Sequence, residues 1–284
     1  MFLPHSQSTM NRSTRGQWEL YRSHRQQIER LIVPSQRGGR ACVLGAGNCN
    51  DLDLRWMSEI FAEVYLVDLD ADAVAAGVER QKMSQSAGLQ IHAPIDLTGI
   101  ADLAAAWKDA TPADAQIEMA LARIRAHDSA TQLARDARFD LVLSPCVLSQ
   151  LIISVRDAIG ARHPRYKELR NALRARHLRM MFDLLKSGGK GVLVADLAST
   201  EDFREMAQVP QERLHDLMRN LIADGKCFPA LVPTGLRQAF REDSLMCRSC
   251  DDVQLSEPWL WHLGLRKTFL AYGISFIRRG AVRA

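Results

Sequence analysis

Five short apolar runs, each leading into a stretch of helical periodicity, occupy most of this chain, and that alternation admits few folds. The runs are Ala41–Leu44, Val64–Val67, Leu89–Ile95, Leu141–Leu143 (introduced by Phe139-Asp140) and Gly191–Ala195. Strands separated by helix-length segments cannot close as hairpins. They line up in parallel, and the crossover helices cover both faces of the sheet. With 284 residues, 47% hydrophobic and 25% charged, the chain can bury the core such an α/β domain needs.

The two ends depart from this pattern. Residues 1–14 are polar and read as a disordered arm. Trp18, Tyr21, Ile28 and Leu31 recur at helical spacing and predict a helix from Gln17 to Ile32, ended by Pro34-Ser-Gln-Arg-Gly-Gly39. That helix either lids a pocket with Trp18 and Tyr21 or packs on the core. The division expected is therefore an arm and capping helix at 1–37 and a main domain at 38–284. Further on, Tyr166 to Leu185 predicts a long helix, basic on one side and stopped by Ser187-Gly188-Gly189, with His177 on its surface. Glu201–Ala223 reads as mostly helical. Trp259–Gly264 and Thr268–Ile277 lie too close together for a crossover helix, so they read as an antiparallel pair at the sheet edge.

Composition removes several classes of function. The 37 basic and 33 acidic residues leave a formal charge of +4 spread along the chain, without the clustered basic stripe of a nucleic-acid binder. The first dozen residues lack the apolar core of a secretory signal, and no apolar run approaches the ~18 residues of a membrane span. A cytoplasmic protein without a membrane partner is expected. Six cysteines in a chain this long do not make a disulfide framework. Cys247-Arg-Ser-Cys250, with Cys227 upstream and His262 downstream, lacks the second spaced pair of a structural zinc site, so no metal is expected.

Chemistry concentrates where the first run turns into Gly45-Ala46-Gly47-Asn48-Cys49-Asn50. Glycines there allow the backbone to approach a ligand closely, though such turns are common. The second run closes on Asp68-Leu69-Asp70, roughly 20 residues on, where a carboxylate can accept hydrogen bonds from the hydroxyls of an adenosine ribose. Asp70 reads as the cap of the helix starting near Ala71; for Asp68, ribose binding and helix capping are the two alternatives. Asn50 stands where the dinucleotide fingerprint has its third glycine, which disfavours a nicotinamide cofactor.

Phe139-Asp-Leu-Val-Leu-Ser-Pro-Cys-Val-Leu-Ser-Gln150 and Leu184-Leu-Lys-Ser-Gly-Gly-Lys-Gly-Val-Leu-Val194 then follow in order. Together with the glycine turn and Asp68, they give residues 38–196 a pattern that resembles the class I S-adenosylmethionine-dependent methyltransferases. The resemblance implies a seven-stranded, mostly parallel Rossmann-like sheet with an antiparallel C-terminal strand, helices on both faces and, here, an N-terminal helical extension. It implies S-adenosylmethionine as cofactor, with Gly45, Ala46, Gly47 and Asn48 along the methionine moiety. Asn50 would bond its amino-acid end, Asp68 the ribose, and Leu69 would lie against the adenine. Asp96 and Leu97 would meet the adenine edge, and Ser144 and Pro145 would lie near the sulfonium. The sequence departs from the family's pattern at Val43, where an acidic residue is usual, and at Cys49, where a third glycine is usual. Ser144-Pro-Cys-Val also lacks the Asn-Pro-Pro-Tyr pattern linked to methylation of amide or nucleobase nitrogen.

The expected activity is methyl transfer to a small-molecule oxygen or nitrogen, with positioning of the nucleophile dominant. The alternatives are a nucleic-acid or protein methyltransferase, or a protein that binds the cofactor without transferring methyl groups. Ser149, Gln150 and Arg156 are the candidate substrate contacts, and His163 and Tyr166 the candidate catalytic groups. The basic run Arg162–Arg179 reads either as an anion-attracting surface or as a solvated helix face.

Overall fold

The computed structural model describes residues 5–32, 37–107, 111–126, 138–263 and 267–280. Part of the turn expected at 34–39, and Gly264, lie outside the described residues.

Seven strand positions form one twisted sheet. β1 (Arg40–Leu44) lies between β2 (Glu63–Val67) and β4 (Phe139–Pro145), with β3 (Leu89–His92) outside β2 and β5 (Leu185–Ser199) outside β4, all parallel. The chain direction reverses in β8 (Lys267–Arg278), which pairs antiparallel along β5 from Lys190 to Ser199. Two short strands, β6 (Cys250–Leu255) and β7 (Trp259–Leu263), share the far edge of β8 and run antiparallel to it. They are one edge strand broken at Ser256–Pro258. There the Ser256 amide donates to the Gly273 carbonyl and its hydroxyl accepts from the Gly273 amide, at 2.9 and 2.8 Å. Pro258 has no amide hydrogen to continue the ladder. The order is the parallel, doubly wound arrangement with one antiparallel strand expected above, with two differences. β8 lies inside the sheet and only β7 and β6 form the edge, and β6 was not legible because Cys250-Asp251-Asp252 masks its period.

Side-chain alternation divides the core between the two faces. Val43, Leu143, Val192, Val194 and Ala271 point to one face, where they meet Ile28 and Ile32 of α2 (Arg22–Ile32) and α3 (Leu54–Ile60). Cys42, Val142, Leu193 and Ile274 point to the other, against α7 (Val147–Ile159) and α8 (Tyr166–Leu184). Leu31 of α2 lies on Gly273 of β8 so closely that a Cβ at 273 would come within 2.4 Å of it. The capping helix therefore packs on the sheet, and burying Ile28 and Ile32 contributes roughly 1.5–3 kcal/mol each.

The long basic helix ends as expected, but its stop does not. Ser187-Gly188-Gly189 already belongs to β5, and Leu185 is both the last cap of α8 and the first strand residue. Glu201–Ala223 is only partly helical, with two 3₁₀ turns before α9 (Leu214–Ala223). The basic face is not uniformly solvated either. Arg165 pairs with Glu118 and Glu168, while Arg176 is buried with its guanidinium on the Leu97, Arg123 and Ile124 carbonyls. Two of those carbonyls end α6 (Asp114–Arg125), where a cation also meets the negative end of the helix dipole. No helix among the described residues is long and apolar enough to cross a membrane.

Of the arm expected at residues 1–14, residues 1–4 lie outside the described residues and the rest is a helix, α1 (His5–Thr14), followed by a 3₁₀ turn at Trp18–Tyr21. It is ordered and not disordered because its polar groups bond the glycine turn and the cap that follows β2. Asn48 donates to the Asn11 carbonyl and the Thr14 hydroxyl at 2.6 and 3.1 Å, Asn50 donates to the Thr14 carbonyl at 2.8 Å, and Asn11 donates to Asp70 at 2.8 Å.

Behind the turn, α4 (Ala71–Arg80) approaches so closely that only glycine fits at one of its positions. A Cβ on Gly77 would stand 2.4 Å from the Asn48 carbonyl oxygen and 3.1 Å from the Cys49 Cβ. Gly77→Ala should therefore destabilise the fold by about 1–3 kcal/mol, although alanine is the better helix former, because backbone atoms must shift. Chemical denaturation with an unchanged m-value checks this.

Candidate functional site

The site lies at the carboxyl ends of the parallel strands, beside the point between β1 and β4 where the strand order reverses. Gly45 and Gly47 adopt positive φ of 81° and 47°, which glycine accepts without strain. Gly45 also lets α7 reach the turn: a Cβ there would come within 2.4 Å of the Val147 side chain. Side chains from three directions accept the task of bonding the exposed carbonyls of this loop. Arg80 donates to the Asn48 carbonyl, Gln81 to those of Cys49 and Leu52, Arg25 to that of Asn50, and Trp18 to that of Leu52. Arg25 also stacks on Trp18, with its guanidinium carbon 3.7 Å from the ring centroid.

Asp68 fixes this loop to the end of β2. One carboxylate oxygen accepts from the Gly47 amide and the other from the Asp70 amide, both at 2.8 Å. Burial raises its pKa above the ordinary carboxylate value, against the opposing pull of those two amides. Asp70 caps α4 through the Ala73 amide at 3.0 Å, as its position before Ala71 predicts.

Beyond Asp68, a narrow and mainly apolar recess, with a cavity volume of only about 20 Å³, enters between the β2 and β3 loops and α7. Asp68, Leu69, Asp96 and Leu97 all line it, joined by Ile95, Thr98, Val147 and Leu151. Asp96 organises its floor by accepting from the Thr98 amide and hydroxyl and from the Ala101 amide, at 2.6–2.8 Å. Apolar walls beside a carboxylate are the chemistry that a flat ring joined to a diol calls for. Spacing pointed to Asp68, and the family resemblance implied Leu69, Asp96 and Leu97, but neither pointed to the wall that α7 supplies through Leu151.

The other residues expected at the site are scattered. Ala46, Asn48 and Asn50 are buried under α1 and the 3₁₀ turn, next to Gly45 and Gly47. Ser144 is fully buried, its hydroxyl 2.7 Å from Nε2 of His177, while Pro145 continues β4 beside Val194. His177 is thus a core residue of α8, because the helix turns that position onto the sheet. Ser149 is buried with its hydroxyl on the Cys146 carbonyl, and Gln150 is half-buried beside it. Arg156 sits nine residues along α7 from Val147, about 14 Å, and pairs with Asp157. The His163 ring accepts from the Arg165 amide, and Tyr166 is buried below Arg170. None of Arg156, His163 and Tyr166 lines the recess. Cys247 is exposed and Cys250 half-buried, with a thiol that burial pushes up to about 12. Among the described residues, no three His, Cys, Asp or Glu side chains are grouped to hold a metal ion.

A second polar group, unforeseen in the sequence, lies on the β5 side of β4. Tyr21 and His24 come from the N-terminal segment, Asp51 follows the glycine turn, Cys146 follows β4, and Asp196 continues β5 on the face of Val192 and Val194. Cys146 holds a left-handed backbone (φ 51°, ψ 14°), a conformation that costs a non-glycine residue roughly 1–2 kcal/mol. His24 is fully buried. Its Nδ1 accepts from the Trp259 indole at 3.1 Å, which leaves Nε2 to carry the ring proton toward Asp51 at 3.2 Å.

No family model matches the sequence, and neither does a curated protein. Several solved structures are similar in overall shape. The N-methyltransferase NodS from Bradyrhizobium japonicum WM9 is 11% identical with a TM-score of 0.44, the match covering 92% of this chain and 98% of that one. An O-methyltransferase family protein from Burkholderia thailandensis is 11% identical with a TM-score of 0.46, covering 97% and 60%. An rRNA methylase from Streptococcus thermophilus is 9% identical with a TM-score of 0.40, covering 92% and 96%.

Two buried groups near the ends of β4 and β5 depart strongly from their ordinary protonation, in opposite senses. Burial pushes Asp196 up to about 7, with the charge of Asp51 adding to it, while burial, then the charge of Arg176, lowers His177 to about 4. Between pH ~4 and ~7 the folded chain holds a proton on Asp196 that the unfolded chain has lost, so this contribution to stability falls as pH rises. From pH ~6.5 down to ~4 the unfolded chain protonates His177 and the folded chain does not, so that contribution falls as pH drops. The two slopes oppose each other. Asp196→Asn removes only the first, and its stability relative to the parent should rise by on the order of 2–4 kcal/mol between pH 4 and pH 8. Denaturant titrations of both proteins at several pH values measure that difference.

Proposed function

We propose that this protein is an S-adenosylmethionine-dependent methyltransferase acting on a small-molecule oxygen or nitrogen nucleophile. One observation carries the reading. The fold gathers Asp68, Leu69, Asp96 and Leu97, chosen from sequence for adenosine, around one recess beside the glycine turn. The residues fit that cofactor. Leu69, Ile95, Leu97 and Leu151 suit an adenine ring, and Asp68, already oriented by two amides, retains lone pairs for the ribose hydroxyls. The buried Asn48 and Asn50 side chains donate to the N-terminal segment and leave their Oδ1 atoms without a partner, which suits the ammonium of the methionine moiety.

When bound, S-adenosylmethionine supplies a methyl group on a positively charged sulfur, an electrophile that needs no further activation. The protein's own part is to orient, exclude water and receive a proton. Tyr21, His24 and β7, with Trp259 and Trp261, cover the carboxyl ends of β4 and β5, so an acceptor placed there would be shielded from solvent. That cover supports a small acceptor over a macromolecular one. Ser144 and His177 hold each other within the core and would act only as structure.

Calorimetry with S-adenosylmethionine, S-adenosylhomocysteine and NAD tests the proposal. Both adenosyl ligands should bind and NAD should not; folded protein that binds neither adenosyl ligand would refute it. Asp68→Ala should weaken S-adenosylhomocysteine binding by ~1.5–3 kcal/mol, the loss of charge-assisted hydrogen bonds to the ribose. Unchanged affinity in that variant would leave Asp68 as a loop clamp alone.

A further inference from the structure

We infer that Cys247 and Cys250 are a redox-active thiol pair, oxidised to an intramolecular disulfide by a small disulfide that carries carboxylates. The pair stands apart from the methyltransferase reading. Cys250 lies opposite Arg278 in β8, whose neighbour Ile277 lies opposite Lys190 near the start of β5. That is the amino-terminal end of the parallel strands, whereas the recess lies at their carboxyl ends.

Three observations carry the inference. First, a helical turn sets the spacing. α10 (Pro233–Glu242) is followed by α11 (Ser244–Ser249), which Asp243 caps through the Leu245 and Met246 amides, both at 2.9 Å. The Cys247 amide donates to the Asp243 carbonyl and the Cys250 amide to the Met246 carbonyl, so the backbone stays helical up to Cys250. Residues three apart on such a turn have Cα atoms about 5 Å apart. That falls inside the ~4.4–6.8 Å a disulfide spans. Cys250 itself is extended (φ −105°, ψ 132°) and opens β6.

Second, both cysteines line one cavity of about 200 Å³, together with Arg237 and Arg241 of α10 and the apolar Phe240 and Met246. Cys247 is exposed and Cys250 half-buried. That asymmetry gives the first attack to Cys247 and ring closure to Cys250.

Third, the cavity is cationic and its charges are uncommitted. Arg237 and Arg241 lie one turn apart on α10 and are both exposed. Neither has an ion-pair or hydrogen-bond partner among the described residues. The acids around them are engaged elsewhere: Asp243 with Arg179, Asp251 with Arg279, and Glu242 with Gln238. Two free guanidinium groups beside a thiol pair favour a reagent bearing carboxylates over a neutral or cationic one.

The exchange balances without a further reagent. Cys247 loses its proton to solvent and its sulfur attacks one sulfur of the small disulfide. The S–S bond breaks, its electron pair leaves on the first thiolate, and a mixed disulfide remains on Cys247. Cys250 then loses its proton, attacks Sγ of Cys247 and expels the second thiolate. Both thiolates take up protons from solvent, so two electrons have passed from the pair to the small disulfide. Burial raises the Cys250 thiol, which makes closure the slower step.

The test uses the complete, reduced chain and three probes: oxidised glutathione (anionic), bis(2-hydroxyethyl) disulfide (neutral) and cystamine (cationic). Products are quenched by alkylation and mapped by peptide mass spectrometry. With oxidised glutathione, the parent should first carry glutathione on Cys247 and then convert to a Cys247–Cys250 disulfide that dithiothreitol reverses. Cys250→Ser should stop at the mixed disulfide on Cys247, and Cys247→Ser should slow modification of Cys250 tenfold or more. Each rate at Cys247 is divided by that of the same probe with free N-acetylcysteinamide. So normalised, oxidised glutathione should react at least fivefold faster than cystamine, and the double variant Arg237→Gln, Arg241→Gln should bring the two within twofold. The parent alone, without any substitution, decides closure. A mixed disulfide that persists on Cys247 would overturn the pair, and equal normalised rates in the parent would overturn the preference for carboxylates.

Discussion

A buried carboxylate bonded to two backbone amides holds the site together. Asp68 ends β2, yet its oxygens are taken by Gly47, beyond β1, and by Asp70, at the start of α4. Two neighbouring strand ends are therefore fixed relative to each other by one side chain. Burying a charge there is costly, as its raised pKa shows, and the bonds from Gly47 and Asp70 offset part of the cost. Around this clamp the remaining contacts of the turn fall into place. Gly77 brings α4 against the Asn48 carbonyl, and Arg80 and Gln81 from the same helix end bond the loop's carbonyls.

The N-terminal segment completes what the sheet leaves open. Hydrogen bonds from Asn48 and Asn50 bind α1 to the turn, and α2 packs across β4, β5 and β8. These contacts close one side of the site with polar groups and the other with aromatic ones.

The buried titratable groups have separate roles because the sheet faces separate them. Ser144 and His177 lie on the α8 face, where burial keeps the imidazole neutral and the pair satisfies itself. Asp196, on the opposite face, is left with an unpartnered oxygen and an acidic neighbour. One is a finished piece of core; the other keeps an acceptor oxygen without a partner.

The sequence by itself determined the parallel strands, the glycine turn, Asp70 as a cap and Asp68 at the end of β2, because each depends on local period or on spacing along one strand–turn–helix unit; Leu69, Asp96 and Leu97 came from the family resemblance. It misjudged whatever depended on distant partners. The polar arm became a helix because Asn48, Asn50 and Asp70 bond it, and His177, amid arginines, turned inward because α8 places that position on the sheet. Asp196 closes its apolar run as Asp68 closes another. Only the tertiary structure put it near His24, Asp51 and Cys146, since those residues come from four separate segments and meet where strand ends and the N-terminal cover converge.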